Sequence, residues 1–177
     1  MDQQEPATTR EEINREIDEL KRALSQHLER GIQNENHRAF CELIRIIHTV
    51  IEHLQNISVL CAPLFGQEPD VEPGILDSDL DGLNTQLLIF RNRLHDFSVK
   101  VGNQQRMTQL AFLNHARDIF ANPVVTSTRM TLKKLIEERR LEEIKRYGDA
   151  IVGVLERLKR TMIEFRDDVI PLENNEN

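Results

Sequence analysis

The stretch Asp77–Gly102, DSDLDGLNTQLLIFRNRLHDFSVKVG, decides how the rest of the chain is read. Leu80, Leu83, Leu87, Phe90, Leu94, Phe97 and Val101 recur in it at alternating spacings of three and four residues. An α-helix completes a turn about every 3.6 residues, so this rhythm lays the apolar side chains along one side of a helix. Such a seam packs lengthwise against other helices. The spacing predicts a helix over 78–101, closed by Gly102 and Asn103 in the manner of a C-terminal cap.

Upstream, residues 37–62 carry a wider apolar face built on Phe40, Leu43, Ile44, Ile47, Val50, Ile51, Leu54, Ile57, Leu60 and Cys61. A helix this apolar belongs in the middle of a bundle, and Pro63 ends it because proline disfavours helix in the residue before it. Earlier still, Thr8 and Thr9 each have a glutamate three residues on, the capping-box spacing of a helix start. Ile13, Ile17, Leu20, Leu24, Leu28 and Ile32 follow as a narrow stripe, expected to lie on the core. Gly31 and the polar run QNEN are expected to separate this first helix from the second. Residues 1–7 and 172–177 are expected to be disordered tails. The connection from Pro63 to Leu76, rich in proline and glycine, is expected to be a surface loop.

Downstream, residues 104–121 form a shorter helix on Met107, Leu110, Ala111, Leu113, Ile119 and Phe120, stopped by Pro123. Ser127 or Thr128 then caps a last helix that can run to Ile170. Its seam is Leu141, Ile144, Gly148, Ile151, Leu155, Leu158, Met162, Phe165 and Val169. Leu132, Leu135 and Ile136 lie out of phase with it, which implies a break or a local unwinding between Glu137 and Arg140. The expected fold is all-α: one domain, an antiparallel bundle of four to five helices with a long C-terminal helix.

The formal net charge of −7 over 177 residues disfavours general binding to phosphate backbones, whose affinity comes from Lys and Arg releasing counterions, so nucleic acid is an unlikely partner. No apolar segment follows a basic start, and no run approaches the roughly 18 apolar residues of a membrane span. Cys41 and Cys61 fall in one predicted helix, about 30 Å apart, beyond disulfide reach. They read as reduced thiols of an intracellular protein, cytoplasmic or nuclear.

Two segments approach chemical motifs. DSDLDG matches the first half of an EF-hand calcium loop, but its twelfth position is Leu88 where a bidentate glutamate belongs. The bland alternative is that Asp77 or Ser78 caps the helix and the aspartates favour its positive end. RNRLHDF resembles the signature of the HEPN superfamily, small all-helical domains of which many are ribonucleases. Arg91 followed by Asn92 matches that signature, and His95 comes after three intervening residues where the family has four to six. The resemblance implies RNA cleavage by Arg91 and His95. Glu-x-x-His, HExxH and paired CxxC are absent from the sequence, so no metal ligand, cofactor or catalytic residue is assigned. The basic segment Arg129–Arg146 is expected to be a solvated helix face or to meet the acidic 66–82 stretch.

With no catalytic constellation and long apolar seams, the sequence points to a non-enzymatic bundle acting as an adaptor or oligomerisation module. Its partner is another protein or a second copy. The expected contact residues are Ile144, Ile151, Leu155, Leu158, Met162 and Phe165, on a last helix that overhangs the bundle.

Overall fold

A computed structural model of the chain describes residues 5–62, 73–121 and 126–171. Five helices carry them: α1 (Glu5–Cys61), α2 (Pro73–Asn103), α3 (Met107–Phe120), α4 (Thr128–Glu137) and α5 (Leu141–Val169). The expected helical bundle with a long C-terminal helix is what forms. The outer parts of the expected loop and tails, residues 1–4, 63–72 and 172–177, lie outside the described residues.

α1 is the common partner of α2 and α5. Its direction relative to each follows from the polar pairs that cross between them. Glu35 pairs with Lys100 at 3.0 Å and His53 with Asp79 at 3.3 Å, so α2 runs antiparallel to α1. His37 Nδ1 meets the Ile170 carbonyl at 2.7 Å and His48 Nδ1 meets Lys159 at 3.0 Å, so α5 is antiparallel to α1 as well. α3 folds back on α2, with the Phe90 and Phe120 ring centroids 4.5 Å apart, while α4 bridges α2 and α5.

The seam of α2 faces inward as its spacing predicts: Leu80, Leu83, Phe90, Leu94, Phe97 and Val101 are all buried. They meet Phe40, Leu43, Ile47, Ile51 and Leu54 of α1 in one core cluster. Each such side chain taken out of water contributes about 1.5–3 kcal/mol against the entropy of ordering the chain.

Three boundaries differ from expectation. α1 begins at Glu5, so residues 5–7 of the expected disordered tail are helical. The first two expected helices are one, because Gly31 and the QNEN run do not interrupt α1, a helix of 57 residues. Asn36, in that run, is fully buried and its Nδ2 donates to Gln104 Oε1 at 2.9 Å and Gln109 Oε1 at 3.1 Å. A glycine inside a helix costs only about 1 kcal/mol, and the α2–α3 corner supplies the polar run with partners. α2 starts at Pro73, ahead of the expected Ser78; proline suits the first turn, where its missing N–H would have no partner anyway.

The phase slip at Glu137–Arg140 is a break. Arg139 has φ of 53°, its N–H donates to the Ile136 carbonyl at 3.1 Å, and Arg140 N–H donates to the Leu135 carbonyl at 2.9 Å. This is a Schellman cap, and it lets α4 and α5 each turn their own stripe to the core. The α2–α3 corner repeats the arrangement. Gln105 has φ of 58°, with N–H bonds from Gln105 to the Gly102 carbonyl and from Arg106 to the Val101 carbonyl. Both left-handed positions carry a Cβ where glycine is the usual residue. Gln105→Gly and Arg139→Gly are therefore each expected to stabilise the fold, by about 0.5–1 kcal/mol, read as a higher denaturation midpoint. Unchanged or lower midpoints in both variants would show that these caps are not strained.

Candidate functional site

Every residue from Thr9 to Glu29 is exposed, so this half of α1 stands clear of the bundle as an arm about 30 Å long. Its stripe is not on the core as expected. Ile13, Ile17, Leu20, Leu24 and Leu28 are 50%, 42%, 69%, 58% and 58% exposed. They share one face at spacings of four, three, four and four. The sequence shows the stripe but not whether its partner lies within the chain. Among the described residues the rest of the bundle reaches the arm only at its base, where Arg106, between α2 and α3, pairs with Glu29, and just beyond it Gln33 Nε2 donates to the Val169 carbonyl at 3.4 Å.

The residues expected to meet a partner are occupied within the chain. Ile144, Ile151, Leu155, Leu158 and Met162 are at most 3% exposed, in the core cluster shared with α1. Phe165 is half-buried, stacked on Phe112 with centroids 4.1 Å apart and packed against Phe40 at 5.4 Å. The element that extends from the bundle with an exposed stripe is the start of α1, not α5.

The near-motifs resolve differently from one another. Asp77, Asp79 and Asp81 lie inside α2, four or more residues past its first residue, so they neither form a loop nor cap the helix start. Asp79 instead pairs with His53, whose ring lies over Gly82. Among the described residues no group of three or more His, Cys, Asp or Glu side chains is placed to hold a metal.

Arg91 and His95 are both exposed on α2 and line the same groove of about 710 Å³ between α2, α3 and α4. Leu87, Leu88, Leu94 and Phe120 form its apolar floor, and Arg117 and Arg129 complete its rim. No local motif announces this groove, because three helices contribute to it. In the basic segment Arg129–Arg146, Arg140 and Arg146 pair with the segment's own Glu138, Glu143 and Glu142. Arg129, Lys133 and Arg139 share a neighbouring cleft with Asp77 and Asp81.

Both cysteines are free. Burial pushes the Cys61 thiol up from its ordinary value, which keeps it protonated and unreactive. No described helix is long and apolar enough to cross a membrane. Comparisons of the chain with models of known families, with curated proteins and with solved structures find no match.

Proposed function

We propose that this protein is a non-enzymatic association module whose α1 arm pairs with the arm of a second copy in a parallel coiled coil. The observation that carries the reading is the exposed stripe of Ile13, Ile17, Leu20, Leu24 and Leu28 on a stretch of helix against which no other described helix packs. An isolated helix is marginal in water, and a contiguous apolar stripe left exposed favours association.

Charge selects both the occupant and its direction. With Ile13 and Leu20 at d positions and Ile17 and Leu24 at a positions, Glu16 falls at g and Lys21 at e. In a parallel pair, g of one helix faces e of the other five residues on. Glu16 then meets Lys21 of the second copy twice over, and Leu28 at e packs against Ala23 at g. An antiparallel pair matching the same four layers puts Glu16 opposite Ala23 and Asn14 opposite Lys21, leaving both charges unpaired. The reduced cysteines are in keeping with an intracellular setting.

Light scattering across the micromolar range tests the reading. Wild type is expected to be a dimer and Leu20→Asp/Leu24→Asp a monomer that keeps the helices of the bundle while its arm frays. Glu16→Lys is expected to weaken the pair, and Glu16→Lys/Lys21→Glu to restore it. A wild-type monomer throughout, or a double-aspartate variant that still dimerises, would rule the arm out. The competing reading, RNA cleavage, has Arg91 and His95 on one groove. RNA incubated with wild type and with Arg91→Ala/His95→Ala decides it, and cleavage lost in the variant is the result that favours an enzyme.

A further inference from the structure

We infer that the groove between α2, α3 and α4 is a binding site for a small amphiphilic anion, an apolar chain or ring system ending in a carboxylate or phosphate. Its volume of about 710 Å³ lies in the range of sites for small organic ligands. Leu87, Leu88 and Phe120 give it a floor that water solvates poorly.

Over that floor stand Arg91 from α2, Arg117 from α3 and Arg129 from α4, with Asp96 the one acid of the lining. All three guanidinium groups are exposed, and none is in an ion pair with a described residue. Arg129 also borders the neighbouring cleft that holds Asp77 and Asp81. In a chain of net charge −7, this concentration of positive charge at one concave site is local. A cleft with low-dielectric walls strengthens its field, and a guanidinium binds carboxylate or phosphate oxygens bidentately.

The two features together select the ligand. A purely polar anion would leave the floor wet, and a purely apolar molecule would not engage the rim. Single-stranded nucleic acid fits less well, because the lining offers for stacking only His95 and Phe120, and the Phe120 ring is just 7% exposed, packed against Phe90.

Titration calorimetry of the full chain with dodecanoate, kept below its aggregation concentration, tests the site. Saturable one-site binding is expected, with dodecyl phosphate binding comparably and dodecanol at least about tenfold more weakly. Arg91→Gln/Arg117→Gln/Arg129→Gln, which changes only exposed side chains, is expected to weaken dodecanoate by more than about tenfold. Leu88→Asp, at the half-exposed edge of the floor, should weaken it as well. Leu20→Asp/Leu24→Asp, far away on the arm, should leave it unchanged. Absence of saturable binding overturns the proposal, as does equal affinity for dodecanol or binding indifferent to the glutamines. Binding lost in the arm variant would place the amphiphile on the arm instead. Recruitment to phosphatidylserine vesicles with no binding of free dodecanoate would replace the small ligand by a lipid surface.

Discussion

Phe40→Ala is expected to remove about 3–5 kcal/mol of folding stability, the loss typical of a large aromatic truncated in a core that cannot close the hole. Phe40 is fully buried on α1, and three other rings converge on it. Phe97 from α2 meets it edge-on at 5.3 Å, Phe112 from α3 lies at 5.8 Å and Phe165 from α5 at 5.4 Å. Four helices therefore share one aromatic node, and each such contact adds about 0.5–1.5 kcal/mol beyond the buried area. Chemical denaturation followed by circular dichroism measures the loss as a lower midpoint at unchanged slope. Met130→Ala, at a side chain 76% exposed, is the control and should change stability by less than about 0.5 kcal/mol. A loss at Phe40 no larger than the control's would mean that the node does not hold the four helices together.

The second large effect is a reversal of sign. Gly148 lets α5 approach α1 so closely that a Cβ there would lie 2.7 Å from Ser58 Oγ. Ser58 is buried, so the atoms around it leave its hydroxyl little room to turn aside. Alanine is the better helix former by about 1 kcal/mol, yet Gly148→Ala is expected to destabilise the wild type by about 1–3 kcal/mol through overpacking. In a Ser58→Ala background the clash is gone, and the same substitution should stabilise by up to about 1 kcal/mol. The measurement is a double-mutant cycle on unfolding free energies. Additive effects would show that the two helices do not touch at this point.

The parts of the fold legible from sequence are those whose periodicity alone names a face. The inward seam of α2 from Leu80 to Val101 is one, and the slip that separates Leu132, Leu135 and Ile136 from the seam of α5 is another. What escaped depends on residues distant in the chain. QNEN looks like a loop until Gln104 and Gln109, 68 and 73 residues away, take up the amide of Asn36. The left-handed caps at Gln105 and Arg139 escaped because neither position carries the glycine that marks such a turn.

For the candidate sites the same distinction holds in a different form. The arm's spacing marks a stripe but does not place it, since a pattern of three and four defines an apolar face without saying what, if anything in the same chain, covers it. The seam of α5 has the same ambiguity with the opposite outcome. Its partner is α1, part of the same chain. The arginine rim could not be read at all, because Arg91, Arg117 and Arg129 stand on three different helices.

Because α1 passes from arm to bundle without a joint, the two stripes it carries are locked in phase. Counting round an ideal helix, the centre of the Ile13–Leu24 stripe sits roughly a third of a turn from the stripe that begins at Phe40. A partner on the arm would therefore approach from a fixed azimuth, clear of the side where α2 and α5 pack. Two copies joined there would hold their bundles at a set angle about the shared rod instead of swivelling freely. With a second copy seated on the arm, the continuous helix would act as a goniometer, translating a contact near one end of the molecule into the orientation of everything at the other.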